Sequence, residues 1–472
     1  MKKILSFKGG VHPPPQKNTA TYNVKDIYPQ KGSVLAYPLA QQIGPPCVAK
    51  VAPGDYVMVG QKLGDYDKPM TVPVHASVSG EVKEIRSCLT PSGSAFTSVF
   101  IENDGLHNEH PEINQPVNYQ KLSRDEKLSV IREAGIIGMG GAGFPAHIKL
   151  NPPRDKHIDY IIINAAECEP YLTTDHRILI EETENIVLGL QVLLSLFERA
   201  QGIIAVEANK MDAVDKLRRC IYITPKASGR IKVVVLKPKY PQGSEKQIIS
   251  ACTGRMVPSG GLPYDAGCIV NNTDTAVAVH RAFYRGRPLM RKIVTVAGDA
   301  VKNPGNYKVR IGMMFSDLIE SIGGYTEEPY KLVSGGPMMG AAMYKTDIPV
   351  TKTSSAFLAF TEKEGRLPAE RNCIRCGRCV TTCPVGLMPL MLNQQSLHNR
   401  EDQFIDYCGM DCIECGSCTY ICPSKRYLMQ SIRAMRSNII QNAVKRTESD
   451  ILTTNADEHE ESVPDRPWKV KE

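Results

Sequence analysis

Hydrophobic and polar positions change their period several times along the chain. From about residue 31 to 105 the apolar residues fall in short β-branched runs between glycines, "GPPCVAKVAPGDYVMVGQKLG" and then "TVPVHASVSGEVKEIRS". Alternation at Val57/Val59 and Val78/Val82 predicts short antiparallel strands in a compact β module over residues 31–110. Residues 120–290 read instead as α/β alternation. Helices are expected at 123–135 and 177–200, and strands at 157–167, 202–208 and 231–238. Such alternation favours a mostly parallel sheet with ligands at the strand C-terminal ends.

Short strands return over 291–350, with one helix at 313–324, as in a small α+β module. Residues 360–436 hold most of the cysteines among helical segments, including the stretch "LMPLMLNQQSLHNREDQFIDY". Residues 1–30 are proline-rich and irregular. The segment 440–472 has few apolar residues and much charge, so a disordered tail is expected there.

Composition narrows the class. A chain of 472 residues suggests roughly three to four domains. The net charge of +7 is spread over 57 Lys+Arg and 50 Asp+Glu, with one Trp and no basic stripe interleaved with aromatics, which excludes a nucleic-acid partner. The longest apolar stretch, "IVLGLQVLLSLF" at 186–197, falls short of the roughly 20 residues of a membrane span. It is expected to be a buried helix, and the chain is expected to have no transmembrane segment of its own. The start, "MKKILSFKGGVHPPP", has no apolar core of a signal peptide. With 15 cysteines, eight of them in metal spacing, a reducing cytosolic compartment is expected.

Two strings carry that spacing, "CIRCGRCVTTCP" at 373–384 and "CIECGSCTYICP" at 412–423. Each matches the run of bacterial two-cluster ferredoxins, in which the fourth cysteine ligates the other cluster. Three close thiolates on one tight turn grip three corners of a cubane, while Gly377 and Gly416 admit the backbone and the proline turns the fourth thiolate away. The spacing predicts one [4Fe-4S] cluster on Cys373, Cys376, Cys379 and Cys422, and a second on Cys412, Cys415, Cys418 and Cys383. Structural zinc prefers two separated C-x2-C pairs. Cys408 is expected to be a bystander, and Cys47, Cys88, Cys220, Cys252 and Cys268 to be buried thiols.

"GIIGMGGAGFPAHIKL" (135–150) sets Gly138, Gly140, Gly141 and Gly143 close together after a helix, where successive N–H groups can close on a phosphate. This loop resembles the flavin-binding, NADH-oxidising 51-kDa subunit of respiratory complex I. Three further stretches resemble that family in the same order: "NAAECEPYLTTDHRIL" (164–179), "YPQGSEKQIISACTG" (240–254) and "GCIVNNTDTAVAVH" (267–280). The resemblance implies FMN phosphate contacts from Gly138–Gly143 and Lys149, and contacts to the flavin ring and ribityl chain from Asn164, Glu167, Asn271 and Asn272. It also implies that Glu167, Glu169 and Glu245 lie near the NAD(H), with Glu167 and Glu245 as candidate catalytic residues. The family's Asp is replaced by Ala166, and the first Glu of its Glu-Glu pair by Ser244.

"PGDYVMVGQKLG" with "VSGEVKEI" looks like the barrel-sandwich of biotinyl and lipoyl domains, although Lys68 in "DYDKP" falls at a shorter spacing than their modified lysine. "FKGGVHPPPQK" (7–17), "AGDAVKNPGNYKV" and "SGGPMMG" complete a resemblance, from residue 1 to about 435, to the RnfC family of the membrane-bound Rnf electron-transport complex. The implied fold class is multidomain α/β plus β: an amino-terminal segment (1–30), a barrel-sandwich module (31–110), a Rossmann-like FMN/NADH domain (120–290), a β-grasp, SLBB-like module (291–350) and a helical two-cluster ferredoxin domain (360–436). The implied function is electron exchange between NAD(H), FMN and two [4Fe-4S] clusters, in a peripheral subunit on the cytoplasmic face of the inner membrane. Its partners would be the other subunits of an ion-translocating Rnf-type complex and, indirectly, ferredoxin. A cobalamin reductase and a non-catalytic electron wire are the alternative readings.

Overall fold

The structure is a computed structural model describing residues 4–443. The chain divides into two compact units, residues 1–368 and 369–472. Most of the expected tail, 444–472, lies outside the described residues. Its first residues, 440–443, continue a helix that starts at 428.

The β module of the first unit has two antiparallel sheets. One orders Val34–Pro38, Ala95–Asn103, Gly80–Leu89 and Tyr56–Val57; the other orders Val48–Ala49, Lys62–Asp65 and Val74–His75. The alternating valines Val57, Val59, Val78 and Val82 are all buried, so the alternation does mark the inward-facing positions. Apolar side chains from this module share one core with the strands near residues 294 and 357.

A four-stranded sheet follows, in the order Ile231–Leu236, Gln201–Glu207, Tyr160–Ala165, Cys268–Asn272, with every pair parallel. Its first three strands step outward in one direction, and the fourth returns to the far side of Tyr160–Ala165. The strand order therefore reverses between Tyr160–Ala165 and Cys268–Asn272, where an open α/β sheet offers its ligand crevice.

The helix expected over 177–200 is two helices, Thr174–Glu181 and Thr183–Leu194. The Thr183 hydroxyl donates back to the Leu179 and Ile180 carbonyls, a side-chain bond that competes with the helical ladder. Glu182 at the break accepts from Arg281 Nη2 at 2.7 Å. The second helix buries Ile186, Val187, Leu190 and Leu193 against the sheet and the Thr273–Arg285 helix. None of the helices among the described residues is long and apolar enough to cross a membrane.

The third sheet is larger than the expected 291–350 module. Its six strands include Lys25–Asp26 at one edge and Ala356–Phe360 in the interior. Ala356–Phe360 is buried at every position and pairs with both Arg291–Ala297 and Lys331–Ser334, so pairing, not proximity in sequence, sets the module's extent.

Cross-links tie these pieces of the first unit together. Lys352 is fully buried and donates to the Pro73 and Gly135 carbonyls at 2.7 and 2.8 Å. Burial pushes its ammonium down to about 8. Arg132 Nη2 reaches Asp65 at 3.0 Å, and His147 Nε2 lies 3.0 Å from the Pro69 carbonyl.

In the second unit the stretch between the cysteine strings forms two helices, Pro389–Leu397 and Glu401–Asp406, rather than one. Asn399 sits between them at φ 50°, a left-handed conformation that Asn tolerates better than most residues. Each string leads into a short helix, Arg378–Thr382 and Ser417–Ile421, and the two strings have matching backbones. Arg375 and Glu414 both have φ 54°, and Gly377 and Gly416 both have φ 72°.

Candidate functional site

The crevice at the strand-order reversal collects the sequence-predicted flavin residues. Asn164 and Asn272 are register partners on adjacent parallel strands. Asn272 caps the Thr273–Arg285 helix by accepting from the Asp274 N–H at 2.9 Å, and its Nδ2 donates to the Asp175 carboxylate. Asn271 is buried, and its Nδ2 has no hydrogen-bond partner. Asn164 is committed to the chain itself: its Oδ1 accepts from Ala166 N–H at 3.1 Å and its Nδ2 donates to the Gly243 carbonyl at 2.7 Å.

The glycine loop closes beside these residues. Met139 N–H donates to Thr275 Oγ1 at 3.1 Å, and Gly138 N–H to the Phe144 carbonyl at 2.9 Å. A Cβ on Gly140 would sit 2.8 Å from the Asn272 side chain, whereas one on Gly141 would meet nothing within 4 Å. Gly143 takes φ +79° and its carbonyl accepts from Ile43 N–H. Lys149, in the short helix after the loop, pairs at 2.6 Å with Glu245, the first residue of the Glu245–Thr253 helix. The fold thus joins two side chains that the sequence reading assigned to different ligands.

Glu167 and Glu169 follow the Tyr160–Ala165 strand. Glu167 is buried; its Oε1 accepts from Thr174 Oγ1 and Asp175 N–H, while its Oε2 has no hydrogen-bond partner. Glu169 accepts from Tyr240 hydroxyl at 3.3 Å and Met338 N–H at 3.1 Å. Burial raises its carboxyl to about 7. Burial and the neighbouring Glu167 push Asp175 up to about 6. Cys168, between the two glutamates, accepts from Gly243 N–H, and burial pushes its thiol up.

Several residues of this crevice escaped the sequence reading. Lys17 donates to the Glu167 and Glu169 carbonyls at 2.9 and 2.7 Å and also to that of Leu172. The buried pair Lys210–Glu207 stands at the end of the neighbouring strand, 3.0 Å apart. Gln242 is buried with both amide atoms unpartnered. Lys17 closes the quoted "FKGGVHPPPQK" and Asp175 lies within the quoted 164–179 segment, but only the fold brings them to the same crevice.

These features suit FMN on grounds of the structure alone. Gln242 and Asn271 Nδ2 are buried polar groups without hydrogen-bond partners, and Glu167 Oε2 has only the distant Lys17 ammonium, an arrangement that proteins generally avoid. The glycine loop leaves open space at Gly141 and a Cβ-free cradle at Gly140.

In the second unit one cysteine of the first string lies beside three of the second. A small cavity is lined by Cys412, Cys415, Cys418 and, from the other string, Cys383. Burial and then the thiols of Cys415, Cys412 and Cys383 push Cys418 upward. Among the described residues no three His, Cys, Asp or Glu side chains converge on a single metal ion. Four thiols lining one cavity match the ligand number of a [4Fe-4S] cluster. Arg375 and Glu414 N–H groups each lie 3.4 Å from the first sulfur of their own string, and Leu387 N–H 3.3 Å from Cys383 Sγ.

The other four predicted ligands lie nearer the surface. Cys373 and Cys376 are exposed, while Cys379 and Cys422 pack against the same small apolar group as Cys418. Cys408 is exposed at φ 55°. Of the five thiols expected to be buried, Cys47, Cys88 and Cys268 are; Cys220 and Cys252 are half-buried, the first near a helix end and the second at the edge of its core.

Four protein families match segments of the chain. They are the RnfC barrel sandwich hybrid domain over residues 5–106, the Nuo51 FMN-binding domain over 131–281, the SLBB domain over 293–342 and the 4Fe-4S dicluster domain over 372–427. The C subunit of the Na(+)-translocating ferredoxin:NAD(+) oxidoreductase complex of Acetobacterium woodii is 43% identical over 92% of this chain and 97% of its own. Its proton-translocating counterpart from Clostridium ljungdahlii is 42% identical over 92% of this chain and 94% of its own. The C subunit of the ion-translocating oxidoreductase complex of Rhodobacter capsulatus is 36% identical over 82% of this chain and 74% of its own. A solved NAD+-reducing [NiFe]-hydrogenase in its H2-reduced state aligns with TM-score 0.47 and 18% identity, covering 67% of this chain and 63% of the other.

Proposed function

Because the chain belongs to the RnfC family, the C subunits of ion-translocating ferredoxin:NAD+ oxidoreductase complexes, we propose that it is the place at which such a complex exchanges electrons with NAD(H). It is an oxidoreductase component using FMN and two [4Fe-4S] clusters. The observation that carries the reading is the coexistence, in one chain, of the polar crevice at the reversal of the parallel sheet and two cysteine strings, with Cys383 of the first lining one cavity with three cysteines of the second.

When bound, the flavin takes the electron pair of a hydride and releases electrons singly, and the clusters carry them one at a time. The chain's residues supply the surroundings. Gly138, Gly140, Gly141, Gly143 and Lys149 would receive the FMN phosphate, with the Lys149–Glu245 pair fixing the lysine's reach. Asn271, Asn272 and the free oxygen of Glu167 would orient the flavin, and Asn164 would hold the Gly243 turn that forms one wall. Glu169 and Glu245 would face the nicotinamide nucleotide. Cys373, Cys376, Cys379 and Cys422 would hold the outer cluster, and Cys412, Cys415, Cys418 and Cys383 the inner one. The chain would act peripherally on the cytoplasmic face of the membrane, with ferredoxin reached through its partner subunits.

The test is an anaerobic absorption spectrum of the reconstituted chain before and after one equivalent of NADH. Bleaching of the flavin band followed by loss of cluster absorbance is the expected result. A flavin-loaded chain that stays oxidised would overturn the NAD(H)-linked role and favour the wire.

A further inference from the structure

A cavity of about 440 Å³ opens in the first unit, and none of the candidate flavin or cluster residues lines it. It lies where the Thr273–Arg285 helix, the β module and the strands Arg291–Ala297 and Gly305–Arg310 meet. Five of its lining side chains are cationic and two are acidic.

Its charges are arranged against their own interest. Arg291 and Arg310 stand directly opposite each other on antiparallel strands, a like-charge pairing that destabilises a sheet. Arg291 Nε and Nη1 are buried without hydrogen-bond partners, as is Arg281 Nε. Glu182 serves both arginines, 2.7 Å from Arg281 Nη2 and 3.5 Å from Arg291 Nη2. Burial and then the charge of Arg281 push the Arg291 guanidinium down to about 10.

The other carboxylates nearby are taken. Asp274 pairs with the buried Lys292 at 2.9 Å, Glu109 with Arg287, and Asp26 with Lys308 at 2.6 Å. Arg310 stacks 4.5 Å over the Tyr28 ring and makes no ion pair among the described residues. Six cations thus face four carboxylates, leaving two positive charges uncompensated beside unfilled guanidinium donors. Planar forks of this kind match phosphate oxygens two at a time, and the volume falls in the range of small-molecule sites.

We propose that this cavity binds a small molecule bearing a di- or triphosphate group, held between Arg291 and Arg310 with help from Arg281 and Lys308. None of the residues proposed for the flavin phosphate or the nicotinamide nucleotide lines this cavity, so it is a separate site.

The probe is inorganic pyrophosphate, titrated calorimetrically into the flavin- and cluster-loaded full chain with NAD+ held saturating. Binding at one site is expected, weakened at least about tenfold by Arg310→Ala through loss of charge-assisted bonds, with flavin and iron content unchanged. Arg291→Lys, which keeps the charge and loses the fork, should weaken it comparably. Lys308→Ala, at a partly exposed position, should lower affinity by a smaller factor and does not depend on folding of the buried variant. Absence of binding to the wild-type chain at millimolar pyrophosphate, or equal binding by Arg310→Ala and the wild type, would overturn the proposal.

Discussion

Lys17 Nζ lies 3.9 Å from Glu167 Oε2 while donating to main-chain carbonyls on either side of Cys168. The residues are 150 apart in sequence, and the contact draws the amino-terminal segment over the edge of the flavin crevice. Burial lowers the Lys17 ammonium, and Glu167 pulls it back up. Lys17→Met should leave those carbonyls without a donor and remove the cation facing Glu167. We expect a loss of about 2–3 kcal/mol in a denaturant melt, together with weaker flavin retention. A variant as stable as the wild type would show the carbonyls to be served by water.

Gly140 and Gly141 separate packing from ligand contact. Gly140→Ala drives a methyl group into Asn272 and should weaken flavin binding by displacing that side chain. Gly141→Ala meets no protein atom, so the apoprotein should melt as the wild type does. Loss of flavin in Gly141→Ala, read from the flavin:protein ratio after gel filtration, would mark the ligand's own position.

With Glu169 facing the nucleotide as proposed, nucleotide binding should depend on pH. Its carboxyl is raised from 4.5 to about 7, so the folded chain keeps a proton that the unfolded chain has released. Its stabilising contribution is therefore complete below pH 4.5 and is lost as the pH rises to about 7. On the proposed placement, ionisation would also set a negative charge beside the anionic nucleotide. The Kd for NADH should rise as the pH passes through 7, and Glu169→Gln should flatten that dependence. A wild-type Kd that does not vary between pH 6 and 8, roughly one unit either side, would remove Glu169 from the nucleotide's surroundings.

Cys383→Ser tests the crossing of the cysteine strings. Although it lies in the first string, the substitution should damage the cluster held by the second, lowering iron by roughly half or converting one cluster to a three-iron form. Electron paramagnetic resonance distinguishes the two clusters. Damage confined to the outer cluster would mean that each string holds its own.

Arg436 and Arg433 both reach Glu414, inside the second string, and Arg436 also donates to the Met410 carbonyl. Positive charge near a cluster favours its reduced form. Arg436→Ala should therefore lower the inner cluster's potential by on the order of tens of millivolts in a redox titration, with less change at the outer one.

Much of this organisation was legible in the residues, for identifiable reasons. Cysteine spacing is a local quantity, so the two strings and their glycine turns could be read directly. The strand carrying Asn164 followed from its apolar run, whereas Asn272 was singled out by resemblance alone and its strand, Cys268–Asn272, was not foreseen. What escaped was long-range or subtle. The break at Glu182 depends on a hydroxyl turning back on its own helix, and the Ala356–Phe360 strand fell almost entirely between the expected modules, its role set only by its partners. Lys17 carries no sign in its neighbours that it ends in a carbonyl cage 150 residues away. The cationic cavity is assembled from six separate stretches of the chain, no one of which is unusual alone.

The buried ammonium of Lys352 bears on motion. In carrier proteins a barrel of this shape swings on a flexible tether and delivers its lysine-borne cargo between distant stations. Here the corresponding barrel is riveted: Lys352 clasps Pro73 and Gly135, Arg132 grips Asp65, and His147 lies against Pro69, one residue from Lys68. What would be a shuttle is here a stator, held in place within the first unit.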